Sequence, residues 1–368
     1  MNFGASSPVQ THPIPSLIGL TLPSGWKVVK DIQRPGGAGA EDLTGSWFSI
    51  GYIAEKAGKQ GFLKVIDIAR ALDERMGGTF IERLKSITDA HSFECTVLDI
   101  CKSARMDRVV HILDKGELPP PPGALLPFPL PFILFELADG DVRKIVSRTA
   151  SIDDAWRLKV LHDVAVGLQQ LHTQGIAHQD LKPSNVLVFD ARGDGAKIGD
   201  LGRATCATVP AAHDMQMIAG AWAYAPPEQI YGIAPAREVD RRNGCDLYHL
   251  GTLAMFIFAG VTPTPLYVQK LPPEVLPRPW GGRGDTDYYS ALPLLTATFT
   301  AILEEVRNDL PEWAREELSQ LILNACHPDY EKRGDPNARM RVGSPLGLEE
   351  FVSRFDRLAK RALVEARK

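Results

Sequence analysis

Several short stretches in the first third of the chain have the pattern of strands. Residues 26–32 alternate between apolar and polar, residues 47–54 and 61–66 are short, mostly apolar runs, and residues 108–113 form a further stretch of this kind. A two-residue alternation is typical of strands that bury one face, because successive side chains point to opposite sides of a sheet. These stretches predict a β-rich region over residues 26–137.

From residue 152 onward, the apolar residues recur at helical intervals. Residues 153–175 carry them at i, i+4 and similar spacings and end in Gly175, which predicts one long helix. Further helices are predicted over residues 246–258, 294–306, 311–325 and 347–366. The pattern therefore predicts an α+β protein, with a mostly helical region over residues 138–368.

Three segments do not follow either pattern. Residues 1–25 are rich in proline, serine and glycine, which predicts a flexible or loosely docked lead-in. Residues 118–131 are rich in proline and predict a surface loop that is either a stiff connection between strands or a docking site for a partner protein. Together with residues 271–289, this loop is where we expect partner surfaces.

Composition narrows the classes of function. The 368 residues carry a net charge of −4, and an isoelectric point near 6.2 gives no indication of binding to nucleic acids or membrane surfaces. No uninterrupted apolar run approaches the roughly 18 residues of a membrane span, and the polar N-terminus does not resemble a signal peptide. The five cysteines form no C-x-x-C motif, which predicts free, buried thiols. We therefore expect a cytoplasmic protein.

One short polar segment carries most of the chemistry in this sequence. Residues 178–185 read H-Q-D-L-K-P-S-N, and a second motif, D-L-G, starts at Asp200. Transfer of a phosphoryl group from ATP needs a carboxylate to orient the attacking hydroxyl, a carboxylate and an amide to hold Mg²⁺, and a cation to balance the migrating charge. These four groups are supplied in that order by Asp180, Asp200, Asn185 and Lys182.

These motifs resemble those of the eukaryotic-type (Hanks-type) serine/threonine protein kinase family, and the resemblance extends over about residues 26 to 360. Residues 220–228 are similar to the family's G-T-x-x-Y-x-A-P-E motif, and the resemblance implies a buried ion pair between Glu228 and Arg333. Asp246 matches the helix residue that tethers the catalytic loop. The alanine-, arginine- and proline-rich composition indicates a bacterial member of the family.

The resemblance implies a bilobal fold, in which the β-rich and helical regions form a small and a large lobe, and an activity that uses ATP. Asp180 would orient the serine or threonine hydroxyl and accept its proton, and Lys182 would stabilise the γ-phosphoryl group. Asn185 and Asp200 would hold Mg²⁺, with Mn²⁺ as the alternative metal.

The resemblance also implies an ATP anchor in the β-rich region. Lys64 lies mid-strand in an apolar run and takes the place of the family's lysine that contacts the α- and β-phosphates. Its glutamate partner is predicted to be Glu94, with Glu82 as the alternative. The segment between Lys64 and Glu94 is longer than in the family, which predicts an insertion over about residues 67–90 and an extra helix around residues 68–84.

Residues 132–138 resemble the strand and hinge that join the two lobes of a kinase. Backbone groups at Glu136 and Ala138 would bind the adenine of ATP. Asp141 would contact the ribose; alternatively, it only caps the helix that follows.

Two departures from the family pattern bear on activity. The glycine-rich phosphate loop would fall on residues 44–49, which hold a single glycine, although a glycine cluster lies upstream at residues 36–39. Gln179 replaces the arginine that binds a phosphorylated activation segment in many relatives, and a neutral glutamine cannot form a charge-assisted bond with a phosphate. We therefore predict activity that does not depend on phosphorylation of Thr205 or Thr208.

Residues and resemblance together predict an ATP-dependent kinase that phosphorylates serine or threonine residues of protein substrates. One alternative is a pseudokinase or nucleotide-binding scaffold that acts through protein partners, which nucleotide binding without phosphoryl transfer would indicate. Another is a small-molecule kinase, which a metabolite that accepts phosphate when proteins do not would indicate. By analogy with bacterial relatives, the role would lie in signalling or in anti-phage defence.

Overall fold

The structure, a computed structural model, describes residues 16–32, 49–72, 77–123, 127–149, 152–340 and 346–367. The chain divides into two compact units. Unit 1 comprises Met1–Cys95 and Ile112–Leu137, and unit 2 comprises Thr96–His111 and Ala138–Lys368. The predicted β-rich region, residues 26–137, therefore included one segment, Thr96–His111, that the structure assigns to unit 2.

Unit 1 is built on an antiparallel sheet whose strands follow the order β1-β2-β3-β5-β4. The strands are β1 (Lys27–Asp31), β2 (Ser49–Lys56), β3 (Lys59–Ile66), β4 (Ile112–Leu118) and β5 (Leu130–Glu136). Strand β3 pairs with β2 on one side and β5 on the other, so Lys64 lies between Gly51 and Ile133. Pairing on both sides fixes the Lys64 backbone in the middle of the sheet.

Burial alternates along β2, which places one side of this strand in the core of unit 1. Ile50, Tyr52 and Ala54 are buried, and they pack with residues of β3, β5 and helix α1 (Phe80–Ser103). Full burial of a large apolar side chain stabilises a fold by about 1.5–3 kcal/mol. Burial of every second residue therefore fixes which face of this strand meets the core.

The predicted lead-in, residues 1–25, is not loosely docked over its described part. Leu17 and Leu22 are buried in the core of unit 1, and Leu22 N donates a hydrogen bond to Trp26 O at 2.7 Å. The prediction was wrong here because it rested on the proline, serine and glycine content of residues 1–25, which hides the short apolar run of residues 17–22. Residues 1–15 lie outside the described residues.

The segment before α1 also differs from its prediction. In place of an extra helix around residues 68–84, the structure has a short 3₁₀ helix, Ile68–Leu72, and then α1 from Phe80. Residues 73–76, which join the two, lie outside the described residues. The length that predicted one extra helix is thus divided between a short 3₁₀ helix and the first turns of α1.

The predicted strand over residues 108–113 is wrong in its position. Strand β4 begins only at Ile112, whereas Val109 forms a bridge with Ile198 in unit 2. A short apolar run does not distinguish a strand from a buried connection, because both lack polar side chains.

The proline-rich segment, residues 118–131, connects β4 to β5. Leu118, the last residue of β4, pairs with Leu130, the first residue of β5, and both leucines are buried. Residues 124–126 lie outside the described residues. A cavity of about 390 Å³ lies beside this connection, and its lining includes Ile81, Leu84, Phe128 and Pro131.

Unit 2 is mostly helical, and the predicted α+β class is confirmed. Its helices are α2 (Val142–Arg148), α3 (Asp154–Thr173), α4 (Pro227–Ile230), α5 (Gly244–Ala259), α6 (Pro263–Lys270), α7 (Tyr288–Val306), α8 (Arg315–Ala325) and α9 (Leu348–Glu365). Its strands are β6 (Gly140–Asp141), β7 (Ile176–Ala177), β8 (Val186–Phe189), β9 (Gly195–Ile198) and β10 (Thr205–Cys206). Strands β6, β8 and β9 form one small sheet, and β7 pairs with β10.

Helix α3 packs against α9 and α5, and α5 is buried along almost its whole length. All five cysteines are free thiols, and only Cys95 is not buried. Across the described ranges, no single helix is long and apolar enough to cross a membrane. One pair, Val239–Ala259 and Pro263–Lys270, meets that criterion jointly, by length and composition, across a bend of 84°.

Candidate active site

The polar motif over residues 178–185 is held by one carboxylate from the buried helix α5. Asp246 Oδ2 accepts a hydrogen bond from His178 N (2.7 Å), and Asp246 Oδ1 accepts one from Gln179 N (2.8 Å). His172 Nε2, in α3, lies 2.8 Å from Asp246 Oδ2. Burial alone would raise the pKa of Asp246, but the hydrogen bonds from His172 and Gln179 hold this pKa below its ordinary value. Charge-assisted bonds to an ionised carboxylate therefore fix the start of the motif.

His178 links this motif to the end of strand β9. Its Nδ1 accepts a hydrogen bond from Asp180 N (3.2 Å), so in the neutral ring Nε2 carries the proton and donates it to Gly199 O (3.0 Å). Gly199 N donates in turn to Asn185 O (2.8 Å). The bonds bring Asp180, Asn185 and Asp200, the residue after Gly199, into one small region of unit 2.

The carboxylate of Asp180 has polar contacts on both oxygens. Oδ1 accepts a hydrogen bond from Ala221 N (2.8 Å), and Oδ2 accepts one from Lys182 Nζ (2.8 Å). Asn185 Nδ2 donates to Asp180 O (2.8 Å) and lies 3.3 Å from Oδ2. Gly220 has no room for a side chain here, because a Cβ would lie 2.8 Å from Asp180 Oδ1. The structure thus brings together three of the predicted catalytic groups with the carboxylate held in one orientation.

Asn185 and Asp200 offer oxygen donors for a divalent cation. Because the Asn185 amide nitrogen donates to Asp180, its Oδ1 faces the opposite side of the amide. Asp200 has a φ of 58°, an uncommon backbone conformation that clusters at functional sites in residues other than glycine. Within the described ranges, no group of three or more His, Cys, Asp or Glu side chains could hold a metal by itself. Two oxygen donors fit Mg²⁺, which proteins often bind through one or two side chains together with substrate phosphates.

In unit 1, Lys64 and Glu94 form a buried ion pair. Lys64 Nζ lies 2.8 and 2.9 Å from the two Glu94 carboxylate oxygens, and both side chains are less than a tenth exposed. Glu82, the alternative partner, instead caps the start of α1, where its Oε2 accepts a hydrogen bond from Thr79 N (2.7 Å) and its own N lies 3.3 Å from Thr79 Oγ1. The structure therefore places Glu94, and not Glu82, beside Lys64.

The residues predicted to bind adenine and ribose lie at the end of β5 and just before α2. Glu136 is the last residue of β5 and pairs with Gly61 of β3, and Ala138 is half-buried. Asp141 caps α2, since its Oδ1 accepts a hydrogen bond from Lys144 N (3.0 Å). Capping is thus one role of Asp141, and the nucleotide contacts of Glu136, Ala138 and Asp141 stay predictions.

Glu228 and Arg333 form a second buried ion pair, as the resemblance implies. The two guanidinium Nη atoms each lie 2.7 Å from a Glu228 oxygen, and Arg333 Nη1 also lies 3.2 Å from Gly244 O. The guanidinium lies 5.1 Å from the centroid of the Tyr248 ring. Burial alone would lower the pKa of Arg333, but the adjacent Glu228 carboxylate raises it above its ordinary value.

Arg242 is a residue beside the catalytic loop that the sequence did not reveal. It lies in a π-helical turn, Val239–Asn243, and is 6% exposed. Gln179 Nε2 donates to Arg242 O (2.9 Å), and Arg242 donates to Gln179 Oε1 (3.3 Å) and to Asp214 O (2.5 Å). Asp214 lies in residues 200–228, which the resemblance implies to be the activation segment, so Arg242 links that segment to the motif over residues 178–185. The contact joins residues 63 positions apart, and no local pattern predicts it.

The two threonines of the activation segment differ in their surroundings. Thr205 is buried in β10, where it pairs with Ala177 of β7. Thr208 is exposed, and its Oγ1 lies 3.4 Å from Cys206 Sγ. A kinase acting on Thr205 would first have to separate β10 from β7.

The predicted phosphate loop cannot be placed in the same way. Its residues 44–48 lie outside the described residues, and so does the upstream glycine cluster at residues 36–39. Only its last residue, Ser49, is described, as the first residue of β2.

Comparison with known proteins agrees with this geometry. The family model of the protein kinase domain matches residues 128–338. The serine/threonine-protein kinase PknB of Mycolicibacterium smegmatis is 31% identical over 158 residues, which cover 42% of this chain and 23% of that protein. The serine/threonine-protein kinase pkn2 of Myxococcus xanthus is 33% identical over 135 residues, which cover 36% of this chain and 16% of that protein. The chain thus spans less than a quarter of the length of either relative.

Proposed function

Since this chain belongs to the protein kinase family, we propose that it transfers the γ-phosphoryl group of ATP to serine or threonine hydroxyls of protein substrates. The relatives from bacteria are named serine/threonine-protein kinases, which supports this class of acceptor. The observation that carries the proposal is the fixed carboxylate of Asp180, with Lys182 Nζ 2.8 Å from one oxygen and Ala221 N 2.8 Å from the other.

Asp180 orients the acceptor hydroxyl and takes its proton as the phosphoryl group is transferred. Contacts on both oxygens restrict rotation of this carboxylate, so the hydroxyl meets it in one geometry. Positioning and electrostatic stabilisation supply most of the catalysis in phosphoryl transfer. Lys182 adds a positive charge at the same place, which stabilises the negative charge on the migrating group.

A bound Mg²⁺ or Mn²⁺ would neutralise charge on the ATP phosphates. Asn185 and Asp200 would hold this ion through carboxamide and carboxylate oxygens. The hydrogen bond from Asn185 Nδ2 to Asp180 O keeps the Asn185 Oδ1 atom in a defined orientation. One residue thereby connects the proposed metal ligand to the proposed base.

Lys64 would bind the α- and β-phosphates, and Glu94 would orient its ammonium group. The ion pair is buried, and the Glu94 carboxylate offsets the cost of placing a lysine in an apolar sheet. Backbone groups at Glu136 and Ala138 would bind adenine, and Asp141 would contact the ribose in addition to capping α2.

We further propose that this activity does not require phosphorylation of the activation segment. The support is the direct connection from Gln179 through Arg242 to Asp214 O, which involves no phosphate. The buried Thr205 is also a poor acceptor, because its strand is paired with β7. In relatives with an arginine at the position of Gln179, a phosphate on the activation segment connects that segment to the catalytic loop. Here the Arg242 side chain would make the connection directly.

The test is transfer of label from γ-labelled ATP with Mg²⁺ to generic proteins and serine- or threonine-containing peptides. We compare the wild type with Asp180→Asn, which keeps the shape of the side chain and removes its charge. The matched control is Asp309→Asn, because Asp309 is an exposed aspartate of unit 2. We expect transfer to serine or threonine in the wild type and the control, and a loss of at least about 10²-fold in Asp180→Asn.

Binding of ATP without any transfer would contradict the proposal and favour the nucleotide-binding scaffold. Transfer to a metabolite but not to any protein would favour a small-molecule kinase. Equal transfer by the wild type and Asp180→Asn would show that another enzyme in the preparation catalyses the transfer.

A further inference from the structure

One histidine of the activation segment is buried while residues close to it in sequence are exposed. His213 is only 5% exposed, whereas Ala212 is exposed and Met215 is 95% exposed. Moving a polar ring out of water is costly unless its nitrogen atoms form hydrogen bonds inside the protein. The burial of His213 therefore depends on the contact that its ring makes within unit 2.

His213 contacts the chain shortly after Asp200. Its Nε2 lies 2.7 Å from Ala204 O. A backbone carbonyl oxygen can only accept, so Nε2 carries a proton and donates it. Burial lowers the pKa of His213 below its ordinary value, which leaves the ring neutral at neutral pH. The bond to Ala204 therefore forms without a charged side chain and without a covalent modification.

The next residue, Asp214, connects the same turn to the catalytic loop, residues 178–185. Arg242 Nη2 donates to Asp214 O (2.5 Å), and Arg242 Nη1 lies 3.3 Å from Gln179 Oε1. The Asp214 side chain closes the turn, since its Oδ2 accepts a hydrogen bond from Ala211 N (2.7 Å). Two adjacent residues thus join the segment after Asp200 to the catalytic loop.

Asp200, the proposed metal ligand, depends on support from both sides. Its φ of 58° belongs to a conformation that persists only where the surrounding structure holds it. On one side, the amide of the preceding residue donates to Asn185 O (2.8 Å). On the other side, Ala204 N donates to Leu201 O (3.1 Å), and the bond from His213 holds this turn in place.

We propose that His213 is a positioning residue of this kinase, and that the dipeptide His213-Asp214 takes the place of a phosphorylated side chain in holding the activation segment. This inference rests on the proposed function and names the residues that would make it independent of phosphorylation. A phosphate connects two segments by accepting several charge-assisted bonds. Here one donor, the His213 ring, and one acceptor, the Asp214 carbonyl, make the connection.

The effect of His213 is expected at the metal site and not at the base. Loss of its bond to Ala204 O would remove the support on one side of Asp200. Asp180 would keep its orientation, because Lys182 Nζ and Ala221 N hold its two oxygens independently of His213. Since partners that orient a metal ligand contribute to metal affinity, removal of the donor should weaken Mg²⁺ binding.

A set of variants of the full chain tests this role. His213→Gln places an amide donor near the position of Nε2, His213→Asn carries the same amide on a side chain too short to reach Ala204 O, and His213→Leu has no donor. The matched control is His162→Leu, because His162 Nδ1, in α3, donates to Val352 O at 3.2 Å. All proteins are treated with phosphatase, checked by mass spectrometry for residual phosphate, and compared in melting temperature.

The first readout is the Mg²⁺ dependence of transfer to a serine peptide at fixed ATP. In His213→Asn and His213→Leu, we expect the Mg²⁺ concentration at half-maximal rate to rise about three- to tenfold. In His213→Gln and His162→Leu, it should stay close to that of the wild type. A merely structural role would lower kcat through loss of folded protein and leave the Mg²⁺ dependence unchanged.

Three results would overturn the proposal. The first is an Mg²⁺ dependence that His213→Asn and His213→Leu share with the wild type. The second is a His213→Gln variant that is as impaired as His213→Leu. The third is a phosphate-free wild type that is inactive and becomes active once the activation segment is phosphorylated.

Hydrogen exchange separates failure of this inference from failure of the kinase function. Exchange of the backbone amides in residues 200–214 is followed by mass spectrometry without nucleotide. Faster exchange in His213→Asn and His213→Leu, but not in His213→Gln or His162→Leu, supports the positioning role even if no phosphoryl transfer is found. Equal exchange in all variants refutes it even if transfer is found. If His213→Leu does not fold, the comparison of His213→Asn with His213→Gln decides.

Discussion

The ion pair between Glu228 and Arg333 offers a stability prediction whose size follows from burial. The side chains are 1% and 0% exposed, respectively, and two contacts of 2.7 Å join them. Glu228→Gln keeps the shape of the side chain but leaves the Arg333 cation buried without its counter-charge. Breaking a buried pair on one side typically costs about 3–5 kcal/mol. That is a large share of the total of about 5–15 kcal/mol for a folded domain.

The measurement is urea denaturation at pH 7, followed by tryptophan fluorescence and circular dichroism. The matched control is Glu305→Gln, which removes an exposed partner of Lys270 at the same kind of distance, 2.8 Å. An exposed pair contributes about 0–1 kcal/mol, so the control should unfold nearly like the wild type. A double variant, Glu228→Gln/Arg333→Met, should recover part of the loss, because it no longer buries an unpaired charge.

The reasoning is refuted if Glu228→Gln costs no more free energy of unfolding than Glu305→Gln. It also fails if the double variant loses as much as the sum of the two single changes. Additivity would mean that Glu228 and Arg333 contribute independently and that their short contacts carry no coupling energy.

Three further predictions concern nucleotide binding, regulation and pH. Glu94→Gln should weaken ATP binding several-fold in a titration of a fluorescent nucleotide, because Lys64 loses its orienting charge; unchanged affinity would argue against that role. Thr205→Ala/Thr208→Ala should keep kinase activity, whereas Arg242→Gln should lower kcat about tenfold or more; the opposite ranking would show control by phosphorylation. His249 has a pKa lowered to about 4 by burial, so the unfolded chain takes up a proton between pH 6.5 and 4 that the folded protein does not bind. Stability should therefore fall as pH drops through this window by up to about 3 kcal/mol, and unfolding curves of His249→Gln should show a smaller fall than those of the wild type.

Much of the catalytic region is predictable from sequence because its groups come from short motifs. Asp180, Lys182 and Asn185 lie within six residues, so local spacing alone is enough to bring them together. Glu94 could be named because it lies on a helix with apolar spacing next to a predicted strand. Fold class was predictable for the same reason, since alternating and helical periods occupy different parts of the chain.

Other features depend on contacts that no local pattern contains. Leu17 and Leu22 join the core although they lie in a segment rich in proline, serine and glycine. Arg242 meets Gln179 across 63 positions of sequence. The bond from His213 to Ala204 O requires a turn of the activation segment, and only the folded backbone shows that this histidine is buried.

Asp246 ties the catalytic loop to α5, a deeply buried helix of unit 2. The backbone amides of His178 and Gln179 donate hydrogen bonds to this carboxylate. The helix that carries Asp246 is almost wholly inaccessible to water. Local opening of a segment costs the free energy of every contact that must break with it. The two amides should therefore exchange hydrogen with solvent only when unit 2 unfolds as a whole. In such a molecule the catalytic loop cannot serve as a switch by loosening, and control of activity has to act on parts of the chain that are less firmly anchored.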